Sequence, residues 1–336
     1  MGSEGGLAPE CPRFASLSRI DAGVETFRIT TRRSDDDLDR SLQRLGLLFA
    51  PLVLGGARGF TLVSGFRRVE ACRRLGWDAI AVRILPESTP AYACALRAVA
   101  ENSLQRPLNL IEISRALWLL AEHAPGGDVP PPDAAALGLP VHPGLCARLK
   151  PLCRMPPEVQ DAVLEEAVSF AMACELALMP EAAAAAFAGL FRRLKTSLNK
   201  QREIVTLVSE VALREGGEPG GILGEPALSA VQNAADMDRN EKTRRIRRLL
   251  RQRRYPALAS AEERFHDLRQ GLKLGENLQL TPPRDFEGTR FTLTLSFDNL
   301  EEFGRLRAKL DELARHPDFK TLATGKGMGF AGKPAP

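Results

Sequence analysis

The stretch LVSGFRRVEACRRLGW, residues 62–77, decides how the chain is read. Phe60 to Val63 is β-prone and Ser64-Gly65 interrupts it. Val69 to Leu75 then follows helical spacing up to Gly76, which stands where a left-handed C-cap belongs. A strand, a tight turn and a helix are expected in close succession. Arg67 and Arg68 then fall in the first helical turn, where the macrodipole disfavours a cation by roughly 0.3–1 kcal/mol. Arg73 and Arg74 stand at the favourable end. Two arginines at the wrong end of a helix are explained if an anion completes the site. Phosphate accepts from first-turn N–H groups and is gripped by guanidinium forks. The plainer alternative is a pair of solvated arginines on a slightly weakened helix.

The flanking sequence builds a small α/β unit around this turn. Asp35 to Leu48 reads as a helix, with Leu38, Leu42 and Leu45 on one side and Gly46 closing it. PLVL, the turn GGARG and FTLV make a hairpin, and AIAVRIL (79–85) a further buried strand. Thr89-Pro90 opens a helix that runs to about Ala100 and stops at Glu101-Asn102. The loop ENSLQRPLNLIE (101–112) then offers a carboxylate, an amide and Arg106 together. A carboxylate beside phosphate-binding arginines suits Mg²⁺, which is held by one or two carboxylates plus phosphate oxygens. The plainer reading is that Glu101 and Asn102 only end a helix. Asn109 and Glu112 are read as a capping box and nothing more.

With 336 residues, two or three domains are expected. Residues 1–16, rich in Gly and Pro, are expected as a disordered tail, 17–108 as the α/β unit and 109–215 as an all-helical domain. GGEPGGILGEP opens a flexible linker over 216–240. In the last region, 241–336, comes EKTRRIRRLLRQRRYP. Its Lys242, Arg244, Arg245, Arg247, Arg248, Arg251, Arg253 and Arg254 have no acid between them, which points to phosphate contact rather than a solvated face. Net charge is only +4, so this clustering, not the global balance, carries the expectation of a DNA partner. RFTLTLSF (290–297) alternates as a half-buried strand, and DNLEEF supplies an Asp298–Glu301 capping box. Phe303, Leu306, Leu310 and Leu313 then repeat with coiled-coil spacing. A strand–helix pair of that size buries little alone and is expected to pair with a second copy. The cysteines show neither C-x-x-C spacing nor a partnering histidine and are read as small hydrophobes. The start has no signal-like apolar stretch and no run approaches the ~18 residues of a membrane span, so a cytoplasmic protein without membrane contact is expected.

Two of these stretches together resemble boxes of the ParB family of chromosome and plasmid partition proteins. Gly65-Phe66-Arg67-Arg68-Val69-Glu70-Ala71 is similar to the family's G-E-R-R-x-x-A. Glu101-Asn102, with Gln105-Arg106 one place late and Leu108-Asn109 back in step, is similar to E-N-[LI]-Q-R followed by L-N-P-I-E. GLLFAPLVL (46–54), LCRMPPEVQDAVLEEAVSFAMA (152–173) and GTRFTLTLSFDNLEEFGRL (288–306) look like three further family segments. The resemblance implies an α+β chain: a ParB/sulfiredoxin-like α/β N-terminal domain, a helical middle with a degenerate helix-turn-helix, and a dimerising C-terminal strand–helix. It further implies a CTP-gated clamp on nucleoid DNA, a homodimer, and a partition ATPase as a further partner.

Carried over by motif, Gly65, Arg67, Arg68, Glu101, Asn102 and Arg106 would hold CTP. Glu101 would also be the Mg²⁺ ligand and the catalytic group of a slow CTPase. Arg148, Lys150, Lys242, Arg244, Arg245, Arg247, Arg248 and Arg251 would contact DNA. The chain departs from the family where Phe66 replaces the box glutamate, which leaves hydrolysis open, and where FRITTRRSDDD (27–37) replaces an Asn-Pro-x-x-Pro-Arg segment. In the segment matching the recognition helix, HPGLCARLKPL (142–152), Pro143 and Gly144 occupy base-reading positions and Pro151 breaks the helix. An adaptor that keeps the nucleotide switch without specific DNA binding is the second reading. An enzyme of the same fold, a small-molecule kinase or a sulfiredoxin, is the third, although a sulfiredoxin needs cysteine where Phe66 stands.

Overall fold

The computed structural model describes residues 12–21, 23–32, 35–286 and 290–324. The fold is α+β and divides into two compact units, residues 1–198 and 199–336. In the first unit β1 (Arg13–Ser16) and β2 (Ile20–Asp21) precede α1 (Asp36–Leu45). The hairpin β3 (Leu52–Gly56) and β4 (Gly59–Ser64) leads into α2 (Phe66–Arg74), β5 (Ala79–Leu85) and α3 (Ala91–Ser103). The strands form one mixed sheet in the order β1-β5-β3-β4-β2. Arg13–Ser16 was expected within a disordered tail. Instead it pairs antiparallel with β5, because the buried strand β5 offers it an otherwise open edge. Residues 1–11 of the expected tail lie outside the described residues.

The quoted turn forms as its residues dictate. Gly65 takes φ +88°, and a Cβ there would lie 2.9 Å from the Pro51 Cβ, so only glycine fits between strand and helix. At the other end Gly76 (φ +71°) donates to the Arg73 carbonyl at 3.0 Å and Trp77 donates to the Cys72 carbonyl at 3.1 Å. That pair of bonds is a Schellman close. Phe66, Val69 and Cys72 of α2 pack with Val53, Leu62, Ile80 and Val82 of the sheet into one core. On α1, Leu42 is buried and Leu38 half-buried, but Leu45 is exposed.

The rest of the first unit is helical. It contains α4 (Leu110–His123), α5 (Pro131–Ala136), α6 (Pro143–Leu149), α7 (Pro157–Leu164), α8 (Phe170–Leu176) and α9 (Glu181–Leu194). No break between compact units falls at residue 108, because α4 is tied to the sheet domain. Arg115 donates to the Thr30 carbonyl (3.1 Å) and to the Gln160 side chain (3.3 Å), while the Glu112 carboxylate receives the Thr31 N–H (3.1 Å). As its sequence requires, Pro151 ends the α-helical run. α6 is seven residues long and passes into a 3₁₀ turn, Lys150–Arg154. The buried Ser114 hydroxyl holds that turn to α4, donating to the Lys150 carbonyl (3.0 Å) and accepting from the Cys153 N–H (2.8 Å).

The second unit opens with α10 (Leu198–Glu215), α11 (Pro219–Gly224) and α12 (Pro226–Asn233). Much of the expected flexible linker is therefore helix, anchored by buried Ile222, Leu223, Leu228 and Val231. Proline at the first turn starts both short helices without losing a hydrogen bond. Next come α13 (Arg239–Arg254), α14 (Pro256–Gly271), β6 (Leu278–Thr281), β7 (Thr292–Leu295), α15 (Leu300–Arg315) and α16 (Pro317–Thr324). The α15 cap is one residue later than expected. Asn299 accepts from the Glu302 N–H (2.9 Å) and Glu302 reaches back to the Asp298 N–H (2.8 Å).

Nor is the strand–helix pair left to itself. β7 pairs antiparallel with β6, and Leu306 and Leu313 join Phe265, Leu278, Leu280 and Phe286 in a core within the chain. Gly288, Thr289 and residues 325–336 of the expected dimerisation region lie outside the described residues. Among the described residues no helix is long and apolar enough to cross a membrane.

Candidate functional site

The end of β4, the first turn of α2, the last turn of α3 and the loop after it enclose a cleft of about 570 Å³. Gly65, Arg67, Arg68, Glu101, Asn102 and Arg106, drawn from two segments more than thirty residues apart in sequence, all line it. Glu101 and Asn102 sit inside the final turn of α3, which runs on to Ser103, and not in the loop beyond it. The N-terminus of α2 has no side-chain cap, because Gly65 stands at the N-cap position and has none to offer. Its first-turn N–H groups, with three guanidiniums and one carboxylate along the lining, give the cleft the character of an anion site.

Each charged group has a protein partner. Arg68 pairs with Glu101 and donates to the Phe49 carbonyl at 2.7 Å. Glu101 also accepts from Ser64 and, at 3.3 Å, from Arg83 on β5. Arg67 reaches Asp35, the N-cap of α1, at 2.8 Å. That pairing, with the bond from the Leu38 N–H, holds the Asp35 carboxyl below its usual range, the N–H having the larger influence. Arg106 is forked onto Glu112 through two bonds of 2.7 Å. Burial by itself would raise the Glu112 carboxyl. The Arg106 guanidinium and the N–H groups of Thr31 and Asn109 outweigh it and bring the group down to about 2.

Glu101 and Asn102 are the oxygen donors the cleft lining could offer a hard cation, with Glu101 already bonded at Oε1 to Arg68 and at Oε2 to Ser64 and Arg83. Asn102 spends its amide nitrogen on the Ala98 carbonyl (2.9 Å), and its oxygen makes no hydrogen bond among the described residues. Mg²⁺ is commonly held by one or two carboxylates together with phosphate oxygens and waters. The described residues hold no group of three or more His, Cys, Asp or Glu able to ligate a metal. Any ion here would therefore take the rest of its shell from a ligand.

Ile29, Thr30, Leu38 and Phe49 also line the cleft, and motif reading missed them. Ile29 and Thr30 come from the stretch without family pattern; the signal available was only that a chain segment must cover that side of the sheet. Phe66, in place of the motif glutamate, is buried, and Arg28 lies over its ring at 5.5 Å. Burial also pushes the Cys72 thiol up to about 11, which disfavours its thiolate.

The residues expected to meet DNA fall in two places. In the first unit Arg148 lies over the Phe170 ring at 5.0 Å and Lys150 pairs with Asp128 at 3.4 Å. In the second unit the basic run of α13 is answered by acids from elsewhere. Glu203 takes Arg247 and Arg251, Glu210 takes Arg254, and Glu215 and Glu225 take Arg253. Lys242 donates to the Gln232 carbonyl at 3.0 Å. Arg244, Arg245 and Arg248 are exposed and make no hydrogen bond or ion pair among the described residues. The run expected to be unrelieved is therefore relieved over much of its length.

No protein-family model matches the chain, and no curated protein matches it. Among solved structures it is similar to the C-terminally truncated chromosome-partitioning protein ParB of Caulobacter crescentus complexed with CTP-γ-S. The identity is 22% over 54% of this chain and 98% of that one, with a TM-score of 0.25. The same protein complexed to the centromeric parS site is 20% identical over 56% of this chain and 96% of that one, with a TM-score of 0.31. A Pnob8-like ParB-N domain is 14% identical over 72% of this chain and 96% of that one, with a TM-score of 0.32. All three lie under 25% identity and under a TM-score of 0.5, so the functional reading rests on the site and its motifs.

Proposed function

We propose that the chain is a ParB-like nucleotide-binding protein that takes CTP in the cleft at the N-terminus of α2 and binds DNA as a homodimer under control of that nucleotide. The observation that carries the reading is the convergence on one cleft of Gly65, Arg67, Arg68, Glu101, Asn102 and Arg106 around an uncapped helix start. A triphosphate brings several negative charges to a lining with more guanidiniums than carboxylates. First-turn N–H groups and the two α2 arginines would grip the phosphates, and the Arg67 and Arg68 ion pairs would exchange carboxylate for phosphate. Glu101 and Asn102 would hold Mg²⁺, which when bound neutralises charge between adjacent phosphates. If the triphosphate is cleaved slowly, Glu101 would be the group that orients water. The exposed arginines of α13, with Arg148 and Lys150, would supply phosphate contacts to DNA, and a partition ATPase would act on the dimer.

Calorimetry tests the cleft. CTP with Mg²⁺ should bind, and Arg67→Ala and Arg68→Ala should each lose a charge-assisted contact worth roughly 1.5–3 kcal/mol. Equal CTP binding by wild type and both variants would remove the assignment.

The second reading, an adaptor that keeps the nucleotide switch but has no specific DNA site, is favoured by the seven-residue α6 and by the acids set against α13. Loss of DNA binding without loss of CTP binding would favour it.

A further inference from the structure

A capping glutamate needs one hydrogen bond, back to the N-cap N–H, and at a helix start it is ordinarily wet. Glu112 makes that bond, from the Asn109 N–H at 3.1 Å, yet its side chain is 0% exposed. Its carboxylate also accepts from the Thr30 hydroxyl (3.3 Å), the Thr31 N–H (3.1 Å) and the Thr31 hydroxyl (3.3 Å), and it receives the Arg106 fork. A fully buried carboxylate is costly to desolvate unless its oxygens are satisfied in this way. So heavy an investment of donors exceeds what a cap requires.

The contacts have one thing in common. Arg106 and Thr30 both line the cleft, one on the loop after α3 and the other on the segment before α1. The fork fixes the plane of the guanidinium, since Nη1 meets one carboxylate oxygen and Nη2 the other, each at 2.7 Å. Nη1 additionally meets the Pro107 carbonyl at 3.1 Å, so Nε and one Nη2 hydrogen are left for a ligand. An arginine held in this manner has already lost most of its rotamer freedom before a phosphate arrives. Arg115, one turn further along α4, fastens the Thr30 carbonyl from the same side.

We infer that Glu112 is a positioning residue for the nucleotide cleft: it aims the Arg106 guanidinium and fixes the Thr30 wall, without touching the nucleotide. The inference rests on the functional reading above. It gives α4 a second duty, because the helix that carries Glu112 also carries Ser114, which holds the 3₁₀ turn after α6.

A double-mutant cycle tests it, with the full chain, Mg²⁺ and CTP in a calorimeter. Glu112→Gln keeps a cap-competent side chain of the same size but loses the charged fork. It should weaken CTP binding about tenfold in the wild-type background. In an Arg106→Ala background the same change should weaken binding clearly less, by about threefold, because the guanidinium it aims is gone and only the Thr30 wall still depends on it. A purely structural role predicts equal weakening in both backgrounds, and that result overturns the inference. Should Glu112→Gln fail to fold, Glu112→Asp is put through the same cycle; it keeps the charge but withdraws the carboxylate by one methylene. A wild type that binds no CTP removes the functional reading and the inference with it, whereas CTP binding with additive losses removes the inference alone.

Discussion

The Arg247 guanidinium lies 2.8 Å from the carboxylate of Glu203, a residue 44 positions earlier in the chain. The same carboxylate takes Arg251 at 2.9 Å, so one acid on α10 serves two cations of α13. Any phosphate that recruits these arginines must first compete with Glu203. Glu203→Gln should therefore tighten DNA binding and steepen its salt dependence by up to about two units of log–log slope, at roughly 0.9 per additional phosphate contact. Fluorescence anisotropy over a salt series reads this directly. An unchanged slope would mean that Arg247 and Arg251 do not meet phosphate.

The exposed arginines should behave in the opposite way. Replacing Arg244, Arg245 and Arg248 together by Ala removes cations with no competing acid bonded to them, and should flatten the slope by nearly three units. Weakening should be about equal across DNA sequences, because phosphate contacts carry no sequence information. If the triple variant instead loses preference among sequences at an unchanged slope, α13 reads bases.

Glu112 makes stability depend on acid. Its carboxyl sits at about 2 in the folded chain against an ordinary 4.5, so the unfolded chain takes up the proton first as pH falls. The stabilisation, about 3 kcal/mol for a shift of this size, is complete above the unfolded value and is lost as pH drops towards the folded one. Urea melts should show wild type losing more stability than Glu112→Gln between pH 4.5 and pH 2. Parallel losses would show that the buried fork is not the acid-sensitive element.

Gly65 is the residue on which the cleft turns. Gly65→Ala would place a Cβ 2.9 Å from that of Pro51 at φ +88°, and the left-handed backbone alone costs roughly 1–2 kcal/mol in a non-glycine residue. The melting temperature should fall, and CTP binding should weaken beyond what lost stability explains. A variant with wild-type melting and affinity would mean that the turn relaxes without moving α2.

Assembly is better tested by a surface change than by truncation. Removing α15 would strip Leu306 and Leu313 from the core of the second unit and unfold it. Phe297, Leu300 and Phe303, by contrast, form an exposed apolar patch around the start of α15, with Leu300 82% exposed. Leu300→Asp should leave the fold intact and convert the proposed dimer to a monomer in light scattering. An unchanged dimer mass would put the interface elsewhere.

The sequence by itself determined what short-range physics decides. The Schellman close at Gly76, the glycine turn before Arg67, the capping box at Asn109 and the end of α6 at Pro151 each depend on residues within a few positions of one another. So do the six cleft residues as two motifs, since each motif is one short continuous stretch of chain. What only the tertiary structure decided are the partners brought from far along the chain. Burial of Glu112 under Thr30 and Thr31 turned a cap into the anchor of Arg106. The acids of α10 answered arginines that look unrelieved in sequence, and β5 drew Arg13–Ser16 out of the expected tail. Gly- and Pro-rich residues 219–233 became helix because four apolar side chains found a core. A carboxylate or an edge strand shows no local mark of the group that will face it. Which groups meet is settled only when burial removes water as the competing partner.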